Sequence, residues 1–179
     1  MKRVRGHMDD AKPSEERVGS LLRERGETLA VAESCTGGLL GSTITGVSGS
    51  SDYFVGGIIS YQNRTKMRLL AVQQELLAEH GAVSRPVARE MARHIRDEAA
   101  VDWGVSTTGY AGATDEGATA PRGTVYVGVA YTGTDEIDPW ASVEHHRFDG
   151  DRATVKERAV DRALTAVCEH AAAGGAKPE

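Results

Sequence analysis

The chain has 179 residues, 40% of them hydrophobic and 26% charged, which allows one domain with a proper core and excludes an intrinsically disordered chain. A formal net charge of -5 argues against a dominant nucleic-acid surface. Without a bilayer-length apolar run or the apolar core of a signal peptide, a cytoplasmic protein with no membrane partner is expected.

Residues 1–13, MKRVRGHMDDAKP, read as a mobile tail; the domain is expected over 14–173, with a second tail at 174–179. Ser14 to Arg25 sets Val18, Leu21 and Leu22 on one side. Glu15 and Glu16 fall in the first turn and Gly26 follows the last, which predicts a helix. TLAVA (28–32) predicts a short buried strand running into Glu33-Ser34-Cys35-Thr36, and Gly37 to Thr45 predicts a helix, so Ser34 falls at a strand-to-helix turn. GVSGSSDYF (46–54) is loop, and VGGIISYQN (55–63) predicts a strand ending near Tyr61. Asn63 is expected to cap a helix whose first turn holds Lys66, where the positive end of the helix dipole disfavours a cation and lowers its pKa.

Ser84 as cap and Pro86 in the first turn start another helix, with Val87, Met91 and Ile95 on its inner face and the arginines solvated. WGVSTTGYAG (103–112) predicts a strand and a glycine-rich turn. GTVYVGVAYT (123–132) and SVEHHRF (142–148) predict two more strands, and a long loop joins Ala111 to Gly123. From Asp151 to about Ala172, Val155, Ala159, Ala163, Leu164 and Val167 form one helical face. Strands alternating with helices, plus an antiparallel-looking stretch late in the chain, indicate an α/β fold with three α/β/α layers around a mixed sheet.

Two features carry chemistry. Ser34 precedes a glycine pair and a helix start whose free N–H groups suit a developing oxyanion or a phosphate. On spacing alone, Ser34 or Thr36 serves equally well as a helix cap. Cys35 is intrinsically the stronger nucleophile, but no histidine lies near it in sequence, and a buried apolar filler is the plainer reading. Cys35 and Cys168 are too few for a disulfide framework and lack metal-ligand spacing. The six histidines read as solvated or cross-strand residues. One lysine, Lys66, lies between Lys12 and Lys156; desolvated, it can take a hydroxyl proton as in Ser-Lys catalysis, although composition alone would make it a surface lysine. No H-E-x-x-H, Walker A or G-x-G-x-x-G pattern is present, so neither a metal nor a dinucleotide cofactor is expected.

The segments AESCTGG (32–38), GVSGSSDYF, ISYQNRTK (59–66), HGAVS (80–84), TTGYAG (107–112), GTVYVGVA (123–130) and FDGDR (148–152) resemble, in order, the CinA C-terminal domain family. That family includes nicotinamide mononucleotide amidohydrolases, which release ammonia and nicotinate mononucleotide without a metal or cofactor. The resemblance implies Ser34 as nucleophile, Lys66 as general base, Tyr61 in the proton network and Arg152 near the pair, keeping Lys66 uncharged. It places a small-molecule nucleotide substrate in a cradle of Thr36, Gly37, Gly38, Gly109, Ala111 and Gly112. It further implies a mixed, mostly parallel five-stranded sheet and a homo-oligomer, a dimer or larger. The sequence departs from the family at Ala113-Thr114-Asp115-Glu116-Gly117, where a proline and glycines are usual. The alternatives are therefore an amidase for a different substrate and a nucleotide-binding or partner-binding module without turnover.

Overall fold

The computed structural model describes residues 12–112, 118 and 120–178; residues 1–11 of the expected N-terminal tail and the divergent segment 113–117 lie outside them. Five strands form one sheet in the order β2-β1-β3-β4-β5: β1 Leu29–Glu33, β2 Phe54–Ile59, β3 Trp103–Gly109, β4 Thr124–Tyr131 and β5 Trp140–Arg147. β1 pairs in parallel with β2 and β3, while β4 runs antiparallel to both β3 and β5. Four strands thus share one direction and β4 alone opposes them, the mixed sheet that the resemblance implies.

Helices cover both faces. α1 Ser14–Arg25, α2 Leu39–Thr45 and α6 Arg152–Ala172 pack on one; α3 Asn63–Leu70, α4 Gln74–His80 and α5 Arg85–Ala99 pack on the other. β1 is buried along its whole length, which is why it reads as an unbroken apolar run. Its Leu29 and Val31 belong to one core with Val18, Leu22, Leu40 and Leu164, and its small Ala30 and Ala32 to the other with Val87, Met91 and Ile95. Burying each such large side chain contributes about 1.5–3 kcal/mol. Gly104 and Gly128 let α5 come close: a Cβ at either would strike the Ala92 or Ala88 carbonyl.

Several expected boundaries move. α2 starts at Leu39, because Gly37 and Gly38 have positive φ (60° and 98°) and cannot continue a right-handed helix. Asn63 is the first residue of α3 rather than its cap; Gln62 holds that place without a side-chain bond. Ser84 precedes α5, but its hydroxyl donates to Gly81 O and not into the helix. The arginine face of α5 is not wholly solvated, since Arg96 is buried and donates to the Tyr131 carbonyl at 2.8 Å. α4 was not foreseen. At the C-terminus the packed chain reaches beyond 173: buried Gly175 accepts from Trp140 Nε1 at 2.8 Å. No helix among the described residues is long and apolar enough to cross a membrane.

Candidate functional site

Ser34 follows the carboxyl end of β1, where its N–H donates to Thr107 O of β3 at 2.9 Å. On the other side of β1, Ser60 follows β2 and donates its N–H to Glu33 O at 2.7 Å. α3 turns back from there and sends Lys66 inward, so that Nζ lies 2.9 Å from Ser34 Oγ. The same nitrogen donates to the carbonyls of Ser60 at 2.7 Å and Tyr61 at 3.3 Å. Lys66 is 1% exposed, and among the described residues no carboxylate pairs with it.

Burial drives the Lys66 ammonium down to about 8; a thiolate at Cys35 would oppose that shift. The pKa of Lys66 moves in the expected direction, and of the expected causes desolvation is the one that lowers it. A neutral amine has two protons and one lone pair. The two carbonyls take the protons, which leaves the lone pair to accept the Ser34 O–H. The arrangement can therefore deprotonate a serine hydroxyl and later return the proton.

Cys35 is 5% exposed, and burial pushes its thiol up to about 12. It remains a thiol at neutral pH, consistent with a filler and not a nucleophile. Neither Ser34 nor Thr36 caps α2. The buried Glu33 carboxylate does, accepting from the N–H groups of Gly38 (2.9 Å), Leu40 (3.0 Å) and Gly41 (2.8 Å). It also accepts from the Thr36 hydroxyl at 2.6 Å, and Thr36 Oγ1 lies 2.7 Å from Thr107 Oγ1.

Ser34 and Lys66 open onto a cavity of about 400 Å³, also lined by Tyr61, Ala82, Val83, Arg152 and the segment Thr108–Gly112. Tyr61 is 60% exposed, and its hydroxyl accepts from Arg152 Nη2 at 3.1 Å. Arg152 thus reaches the site through Tyr61 and lies over Gly112, where a Cβ would crowd its guanidinium. All four residues expected around the chemistry, Ser34, Lys66, Tyr61 and Arg152, meet at this cavity.

The expected cradle divides. Gly109, Ala111 and Gly112 line the cavity. Thr36 does not: it is fully buried, with its hydroxyl committed to Glu33 and Thr107. Gly37 and Gly38 also lie off the lining, Gly37 exposed near Lys156 Nζ and Gly38 tied to Glu33. Among the described residues no histidine lines the cavity; His94 pairs with Glu90 and His146 with Glu144. Sequence reasoning missed Glu33 and the contribution of Ala82 and Val83. Glu33 had a readable signal, an acid directly before the candidate nucleophile and ahead of a helix with no acid in its first turn. Ala82 had none, because the bond from Thr108 Oγ1 to its carbonyl, at 2.8 Å, joins that loop to β3 across 26 residues of sequence.

Fold and site together define an α/β/α domain with a buried serine–lysine pair where the parallel strands end, the usual position for a site in an open α/β sheet. The CinA C-terminal domain model matches residues 11–171, and the chain belongs to that family. A CinA-like protein of Nostoc sp. is 49% identical over 149 residues, 83% of this chain and 35% of that protein. One from Acaryochloris marina is 56% identical over 113 residues, 63% of this chain and 27% of the relative. The chain spans between about a quarter and about a third of the length of these curated relatives. The crystal structure of a CinA superfamily protein from Klebsiella pneumoniae superposes with a TM-score of 0.83 at 31% identity, covering 90% of this chain and 99% of that one. A competence/damage inducible protein from Agrobacterium tumefaciens gives 0.77 at 28% identity, covering 94% and 98%.

Proposed function

We propose that this chain is an amidohydrolase that deamidates nicotinamide mononucleotide. The observation that carries the reading is the 2.9 Å approach of a buried lysine amine, without a carboxylate partner among the described residues, to Ser34 Oγ. Lys66 Nζ takes the Ser34 proton as Oγ bonds to the carboxamide carbon, giving a tetrahedral oxyanion. The protonated Lys66 then donates to the departing nitrogen, the C–N bond breaks, and ammonia leaves an acyl ester on Ser34. Water, deprotonated in turn by Lys66, attacks that ester and releases the nicotinate nucleotide. Tyr61 and Arg152 line the same cavity, and in this reading Arg152 receives the substrate's phosphate.

The test is ammonia and nicotinate mononucleotide release in metal-free buffer, comparing the wild type with Ser34→Ala. Release by the wild type that the substitution abolishes is the expected result. Saturable nucleotide binding without release would move the chain to the binding-module reading, and release that survives Ser34→Ala would overturn the nucleophile assignment.

A further inference from the structure

Glu33 is a carboxylate 2% exposed whose hydrogen-bond partners among the described residues are all neutral donors. Oε2 accepts from Thr36 Oγ1, Gly38 N and Leu40 N, and Oε1 accepts from Gly41 N. A buried anion without a cation carries a desolvation cost that only a dense set of donors offsets. A neutral cap on α2 would avoid that cost. The main chain of the same residue does separate work: its carbonyl accepts the Ser60 N–H at 2.7 Å, and the Ser60 carbonyl in turn accepts from Lys66 Nζ at 2.7 Å.

From this double attachment we infer that Glu33 is the positioning residue that sets Ser34 against Lys66. Its side chain fixes the turn from Cys35 to Gly38 and the start of α2, on one side of Ser34. Its backbone fixes Ser60, one of the two carbonyls that orient the Lys66 amine. Thr107 supports both parts, through its carbonyl on the Ser34 N–H and its hydroxyl on Thr36. The single Thr36 hydroxyl proton goes to Oε2, so Thr107 donates to Thr36 Oγ1. The hydrogen bonds of Lys66 Nζ go to Ser34, Ser60 and Tyr61 and not to the Glu33 carboxylate, so the inferred effect is on the geometry of the pair. This inference rests on the serine–lysine reading but not on the identity of the amide substrate.

Glu33→Gln keeps the size and one acceptor, but turns an NH2 towards either the Gly41 N–H or the three donors of Oε2. Displacement of the turn by a fraction of an ångström is expected to lower kcat about 10- to 100-fold, with KM within about threefold. The midpoint of the pH–rate profile stays where it is in the wild type. Thr36→Val, which removes one donor to Glu33 and breaks the hydroxyl contact with Thr107, lowers kcat about tenfold, and Thr36→Ser restores it. This second pair keeps the test decisive if Glu33→Gln does not fold.

Two further readouts do not depend on the nucleotide: the rate at which a fluorophosphonate labels Ser34 in the full chain, and crystal structures of the wild type and the variants. Slower labelling in Glu33→Gln and Thr36→Val, with a longer Ser34 Oγ to Lys66 Nζ distance, supports the inference even if the wild type releases no ammonia from nicotinamide mononucleotide. That outcome would remove the substrate reading alone. Labelling at the wild-type rate with the 2.9 Å approach intact, or a shifted pH midpoint in place of a lower plateau, would overturn it.

Discussion

Lys66 and Glu27 are buried or half-buried ionisable groups at opposite ends of β1, and they are treated oppositely. Glu27, just before β1, accepts from Arg25 Nε at 2.7 Å and Nη2 at 2.6 Å, from Trp103 Nε1 at 2.7 Å and from Tyr131 OH at 3.3 Å. Burial alone would raise its pKa, but the bonds from Arg25 and Trp103 outweigh burial and hold the carboxyl below its ordinary value. Lys66 has carbonyls and a hydroxyl where Glu27 has a cation, so burial prevails and the ammonium falls to about 8. A paired charge stabilises the fold; an unpaired one remains available to take up and release a proton. Trp103 stacks on Tyr131 with ring centroids 4.2 Å apart, which makes the Glu27 end a rigid structural cluster.

The hardest break of this contrast is at the carboxyl end. Ser34→Ala and Lys66→Met are expected to lower amide hydrolysis about 10⁴-fold or more, measured as ammonia release. Lys66→Met should at the same time stabilise the fold at neutral pH, by roughly 3 kcal/mol for a shift from 10.5 to about 8. Between about pH 8 and 10.5 the unfolded chain holds the Lys66 proton and the folded chain does not, so wild-type stability rises with pH in that window. The advantage of Lys66→Met, read from denaturant midpoints, should shrink accordingly, and a pH-independent advantage would contradict a buried titrating amine. The wild-type kcat/KM should climb up to about pH 8 and level off above it, as the base form of Lys66 accumulates.

At the other end, Glu27→Gln should cost about 1–3 kcal/mol of stability in a urea melt while leaving kcat unchanged. Its contribution is present above the ordinary carboxylate value of 4.5 and is lost as pH falls through the lower folded value. Smaller effects return to the cavity. Tyr61→Phe and Arg152→Ala should each lower kcat/KM about tenfold, and the double variant should lose less than the product, because the two side chains share one hydrogen bond. The smallest effect belongs to Cys35→Ala, with activity within about threefold of the wild type, since a thiol pushed up to about 12 offers no thiolate. Loss of ammonia release in that variant would move the nucleophile from Ser34 to Cys35.

The sequence by itself determined the elements whose pattern is local. The apolar face of α5, the buried run of β1 and the apolar face of α6 all follow from spacing and side-chain type. It also singled out Ser34 and Lys66, one by its turn and one by its isolation among arginines, and the family resemblance joined them. What it left open depended on contacts distant in sequence. Spacing could not separate Ser34 as a nucleophile from Ser34 as a cap; the fold removes the cap reading by giving that role to Glu33. Nor could it separate Thr36 in a substrate cradle from Thr36 in the core, because Thr107, 71 residues away, holds it there. The Lys66 pKa is likewise a tertiary property: desolvation is set by what packs over the amine, and the packing is made only when β1, β2 and α3 come together.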